Sequence, residues 1–172
     1  MTSSPDKHDD IVITPQQTVK LSVVQTGPPL VQRGSLQGVK SSDLATWLQK
    51  NLDVAWPTCL PQVSVHLIVE IRSTKKGGKT YRNYSFKGEF QSSVDAAVQL
   101  TSVTMRKAMD GRVYFSVTLD VLTQVDGQTR HLPFQGALKK KGKDWSLTAS
   151  WSVGDDEQGV PFTSLGKAFV PN

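Results

Sequence analysis

Apolar residues recur at every second position in two long stretches of this chain, and that period dictates a sheet. Val63, Val65, Leu67, Val69 and Ile71 alternate with Ser64, His66, Glu70 and Arg72, with Ile68 the one apolar residue on the polar side. Val113, Phe115, Val117, Leu119 and Val121 repeat the pattern further along. Successive side chains of a strand point to opposite faces, so each stretch offers one face to a core and one to water.

The neighbouring segments complete strand pairs. Tyr84, Phe86, Gly88 and Phe90 alternate with Asn83, Ser85, Lys87 and Glu89, so 63–72 and 80–90 form a hairpin around Lys75-Lys76-Gly77-Gly78-Lys79. Residues 91–110 carry a mixed signal. Ser92-Ser93 with Asp95 resembles a helix start, but the Val/Thr content of 98–105 favours a strand over 97–106 paired with 112–123. Pro133 makes 129–138 an edge strand or a short helical element. Trp145, Leu147, Ala149, Trp151 and Val153 alternate in a last strand with the tryptophans facing the core. At the front, Thr18–Gln25 alternates, stops at Thr26-Gly27-Pro28-Pro29, and leads into a loop reaching Val39.

One helix is expected, over about 42–52. Ser41-Ser42-Asp43 supplies a cap and an acidic first turn, and Leu44, Trp47 and Leu48 form an apolar stripe. The fold class is therefore α+β: an antiparallel sheet body with this helix packed on it. The expected organisation is a flexible arm over 1–16, a single domain over 17–153, and a tail over 154–172. Ile11, Val12 and Ile13 in the arm are expected to form a short edge strand or a plug for a second copy, and Phe162 and Phe169 in the tail to wrap the body or insert into a neighbouring copy.

Charge is unevenly distributed. The whole chain is +5, but Arg72 to Lys143 holds fourteen basic and five acidic side chains. A second lysine turn, Lys139-Lys140-Lys141-Gly142-Lys143, mirrors the first. Arg72, Lys75, Lys76, Lys79, Lys139, Lys140, Lys141 and Lys143 are the candidate contacts to an anionic surface, either lipid or the phosphates of RNA. Ordinary solubility and protection of sheet edges are the competing explanation for such lysines.

Enzyme chemistry has no foothold in the pattern. Cys59 is the single cysteine, which excludes an intrachain disulfide, and His8, His66 and His131 stand in contexts that suggest no Cys–His pair. Gly77-Gly78-Lys79-Thr80 lacks the upstream glycine and the following helix of a phosphate loop. No histidine has a metal partner at a usual spacing, so neither metal nor cofactor is expected. No run is long enough to span a bilayer, so any membrane association is expected to be peripheral.

The order of these segments resembles the matrix proteins of rhabdoviruses, of the small plant-infecting type. The resemblance runs from Thr18 to Val153 and is clearest at Ala137-Leu138-Lys139-Lys140-Lys141-Gly142-Lys143-Asp144-Trp145 through Ser152. It implies a virion structural protein, beneath the envelope and in the host cytoplasm, that self-associates and condenses the ribonucleoprotein. The implied partners are other copies of the chain, the nucleocapsid, the anionic membrane surface and the glycoprotein tail, with RNA as a further polyanion. The chain departs from the family in lacking a lysine-rich amino-terminal tail and a Pro-Pro-x-Tyr motif, since Pro28-Pro29 continues with Leu30-Val31, and in carrying an extra acidic tail after the last expected strand. The alternative reading is a small basic RNA-binding accessory module, a silencing suppressor or movement factor.

Overall fold

A computed structural model of the protein describes residues 7–58, 60, 62–90, 98–142, 144–147, 151–153 and 156–160. Two short strands, β1 (Ile11–Thr14) and β2 (Gln17–Val19), form their own antiparallel pair. The chain then enters a ten-stranded sheet through β3 (Ser22–Gln25) and β4 (Leu30–Lys40), and leaves it for the helix α1 (Ser41–Leu52). It returns as β5 (Ser64–Lys76), β6 (Lys79–Glu89), β7 (Val98–Lys107), β8 (Val113–Val125) and β9 (Gln128–Lys141). The last strands are β10 (Asp144–Leu147), β11 (Trp151–Val153) and β12 (Asp156–Val160). From β3 to β9 each strand lies beside its predecessor, an antiparallel meander, which is the α+β architecture expected.

The alternation sets the two faces of the sheet. Val65, Leu67, Val69, Ile71, Phe86, Val103, Met105, Phe115, Val117 and Leu119 are buried on one of them. Leu44, Leu48 and Leu52 of α1 press onto that face, and the Trp47 ring lies 5.4 Å from Phe86. Trp56 and Trp145 close over Phe115, with ring centroids 5.9 and 4.8 Å away. Fully burying a side chain of this class is worth about 1.5–3 kcal/mol. The helix therefore owes its place to one leucine stripe. The opposite face is mainly polar, with Ile68 and Leu122 among its apolar exceptions.

Several expected boundaries move, each for a visible reason. The segment expected as a loop to Val39 is β4, paired from Leu30 to Lys40 along β5. Glycine weakens a strand interior, but both glycines of β4 have structural uses. Gly38, at φ +73°, falls in the bulge between Leu36 and Val39, and Gly34 lies where the chain crosses close by at Lys20. The strand expected over Thr18–Gln25 divides into β2 and β3 at that crossing. Residues 129–138 fall inside the long strand β9, in which Pro133 is opposite Asp120 of β8 and one residue past the last pair with β11. The final alternating segment is split into β10 and β11, both antiparallel to β9 and offset in register by two residues.

The helix cap also differs from expectation. Lys40 takes the N-cap position without a side-chain hydrogen bond. Ser41 instead ties the helix start to the approach of β5: its N–H donates to the Val63 carbonyl at 2.8 Å, and its Oγ accepts from Val63 N–H at 3.0 Å.

The expected free arm is packed from His8 onward. Gln32, fully buried, donates through Nε2 to the His8 carbonyl at 2.9 Å and accepts His8 N–H through Oε1 at 2.7 Å. Ile11 then lies wholly inside the core beside Val19 and Leu21.

Candidate anion-binding surface

An antiparallel meander sends alternate turns to opposite ends, and this one gathers the cations at one end. β5, β7 and β9 all finish there, and β6, β8 and β10 all start there. Three of the four connections at this end are basic, carrying Lys75, Lys76 and Lys79; then Lys107 and Arg112; then Lys139, Lys140 and Lys141, while the one from β3 to β4 is uncharged. Two lysine turns far apart in sequence thus flank a third basic turn. The far end of the sheet holds Glu89, Asp120 and Asp126 with Arg130. Lys40, opposite Ser64, is also there, so the far end is mixed in charge, whereas the lysine turns make the other end mainly cationic.

The first lysine turn projects. β4 makes its last pair with Ser73 and β7 its last with Tyr84, so residues 74–81 form a two-stranded finger with no strand beside it. Gly77 and Gly78, at φ +61° and +78°, provide the two left-handed residues that a tight hairpin turn needs. Lys75, Lys76 and Lys79 are exposed, and Lys76 is directly opposite Lys79.

At the second turn Lys139 and Lys140 are exposed; the side chain of Lys141, and Lys143 altogether, lie outside the described residues. Lys140 is opposite Trp145, and both border a hollow of about 450 Å³ that also includes Asp53 and Lys139. Lys107 does not point away with the rest: its Nζ donates to the Leu52 carbonyl at 2.5 Å, at the helix C-terminus.

Below these turns the open face of the sheet holds a transverse row. Arg33, Glu70, Ser85, Arg106 and Tyr114 are successive cross-strand partners from β4 to β8. At about 4.8 Å between strands the row spans roughly 19 Å. Lys139 follows Leu138, the partner of Phe115, and so continues it on β9. Glu70 accepts from Arg72 Nε at 2.8 Å and from Arg33 Nη2 at 2.9 Å. The Arg72 hydrogen bond, with Arg33 beside it, holds this carboxyl below its usual range against the opposing effect of burial.

Arg106 is exposed and forms no ion pair among the described residues, and Tyr114 is 51% exposed. Together with Arg72, Ser85 and Ser116 they border a groove of about 910 Å³. Arg112, two residues before Tyr114, has its guanidinium pKa raised by the Tyr114 hydroxyl and by Asp110.

Of the residues singled out for self-association, Ile11 is inside this chain's own core and Ile13 packs against it, leaving Val12 turned outward at 52% exposure. Phe162 and Phe169 lie outside the described residues, as does Cys59. The structure adds Val23 and Val24, exposed on the short edge strand β3. Tyr114 is the functional candidate that the composition hides. Its signal was parity: with Val113, Phe115 and Val117 facing inward, residue 114 faces out.

His66 meets Glu89 at 3.2 Å on the open face, and among the described residues no three His, Cys, Asp or Glu side chains are grouped to hold a metal. No described helix is long and apolar enough to cross a membrane. No protein-family model, curated protein or solved structure matches this chain.

Proposed function

We propose that the chain is a matrix-type structural protein of a virion, which self-associates and uses the basic end of its sheet to bridge nucleocapsid and the anionic inner face of the envelope. The observation that carries the reading is the convergence of three cationic turns at one end of a rigid meander. A sheet holds these turns at fixed separations, so the lysines meet an anionic surface together. The order of elements that resembles rhabdovirus matrix proteins supports the assignment to a virion.

Near an anionic leaflet each basic residue contributes on the order of 1 kcal/mol, so five exposed lysines suffice for reversible adsorption. The test is flotation with phosphatidylserine vesicles and co-sedimentation with nucleocapsid. We expect the combined variant Lys75, Lys76, Lys79, Lys139 and Lys140→Gln to lose at least a hundredfold in vesicle binding at about 0.15 M salt. Light scattering of the wild type should show mass rising with concentration. Unchanged binding by the variant to both targets, or a strict monomer at high concentration, would sink the reading.

A further inference from the structure

We infer that the open face of the sheet is a binding platform for single-stranded RNA, with a base stacked on Tyr114 and phosphates held by Arg106, Arg72 and Lys139. This goes beyond the matrix reading and does not rest on it. The lysine turns form an end that meets a surface; the platform is a groove across the face below them.

Three observations select this occupant. The first is an exposed aromatic ring: Tyr114 is 51% exposed, on a mainly polar face. A ring presenting its face to solvent stacks any unpaired base, because every base has a π-face. The second is charge. Tyr114 has Arg106 directly opposite on one neighbouring strand and Lys139 on the same face of the other. Arg72 also lines the groove, and Arg112 is two residues before Tyr114, in the turn that leads into β8. Cations on both sides of a stacking ring match a strand whose phosphates flank each base.

The third observation is shape. The groove is lined by the small side chains of Ser85 and Ser116 together with the longer ones of Arg72, Arg106 and Tyr114. A flat bilayer cannot enter such a groove, and a stiff duplex keeps its bases stacked internally and offers nothing to Tyr114. A flexible single strand can do both.

Glu70 is the one carboxylate in the groove, and it occupies Arg33 and Arg72. It therefore moderates the platform, and its neutralisation should release both guanidinium groups.

The test is fluorescence anisotropy of a labelled oligouridylate of about twelve nucleotides, a length within the site sizes of sheet-based binders. The full chain is titrated between about 50 and 200 mM salt, with a duplex of equal length for comparison. The single strand should bind more tightly than the duplex. Tyr114→Ala should weaken binding by about 5- to 150-fold with the salt slope unchanged, and Tyr114→Phe should stay close to wild type. Arg106→Gln should lower the slope by about 0.7, and Glu70→Gln should tighten binding and steepen the slope.

Ultraviolet crosslinking of the unmodified protein to the same oligonucleotide guards against a variant that fails to fold, and it should label the peptide containing Tyr114. Equal affinity for wild type and Tyr114→Ala, equal affinity for duplex and single strand, or crosslinks confined to the lysine turns would each overturn the platform. A variant confined to the first turn, Lys75, Lys76 and Lys79→Gln, leaves Lys139 in place and separates the two readings, since it should weaken vesicle binding yet keep wild-type sensitivity to Tyr114→Ala.

Discussion

Gly34 marks the place where two parts of the backbone come closest. A Cβ built on it would stand 2.3 Å from the Lys20 carbonyl oxygen and 3.1 Å from a Val19 methyl. The first contact is with backbone, which cannot rotate away, so the link between β2 and β3 would have to shift and carry Val19 and Leu21 with it. Gly88, also within a strand, is different: its added Cβ would meet Val65 at 3.4 Å, an ordinary contact. We expect Gly34→Ala to cost about 2–3 kcal/mol, as overpacking of a tight interior does, and Gly88→Ala less than about 1 kcal/mol. Urea unfolding of the two variants checks this, and equal midpoints would show that the crossing at Lys20 is loose. The contrast also separates two reasons for glycine in a strand: at Gly34 the space is taken by a neighbour, whereas Gly38 is needed for its positive φ.

At the scale of elements, β4 joins the amino-terminal segment to the sheet. Gln32 faces the core, a costly place for an amide unless both its ends are satisfied. His8 does this with its own N–H and carbonyl, and its ring meets Tyr84 edge to face at 5.7 Å. Gln32→Leu would fit an apolar side chain into the same space but strand both His8 backbone groups. It should destabilise the docked segment by about 1–3 kcal/mol and release residues 8–11 to rapid amide exchange. Protection unchanged at Ile11 would mean that burial of Ile11, rather than the amide, holds this segment.

This junction also shows where the sequence was legible. β5, β6, β8 and α1 could be read because their signals are local: a period of two, an apolar stripe, a Gly-Gly turn; β7 carried a mixed signal and leaned to strand only on its Val/Thr content. β4 could not, because its inward positions are Leu30, Gln32, Gly34 and Leu36, in which an amide and a glycine interrupt the apolar period. Their justification lies in residues far off in sequence, His8 and Lys20. The lysine turns could be seen individually, while their arrival at one end follows from strand order, which no single segment encodes. Tyr114 was readable by parity alone, but its pairing with Arg106 needed the register.

For the whole molecule, the gathering of cations has a stability consequence that is separate from any ligand. Lys76 and Lys79 are directly opposite across the first turn, and like charges in that position destabilise a strand pair. Arg112 has Asp110 at 3.3 Å, but no ion pair among the described residues neutralises Lys75, Lys76, Lys79, Lys139 or Lys140. Their mutual repulsion is long-ranged at low ionic strength and largely screened once the Debye length falls to a few ångström. The isolated protein should therefore melt at higher temperature as sodium chloride rises from about 0.01 to 0.5 M, where the Debye length shrinks from about 30 Å to under 5 Å. The five-lysine glutamine variant should melt above wild type at low salt, by a few degrees for roughly 1 kcal/mol in a domain of this size, and should lose most of the salt dependence. If turn lysines serve only solubility, each sits in water far from the others and the two proteins should melt alike at every salt concentration. A gain in stability coupled to a loss of vesicle binding in the same variant would mean that the basic end is kept at a cost to the fold, as expected of a surface held ready for an anionic partner.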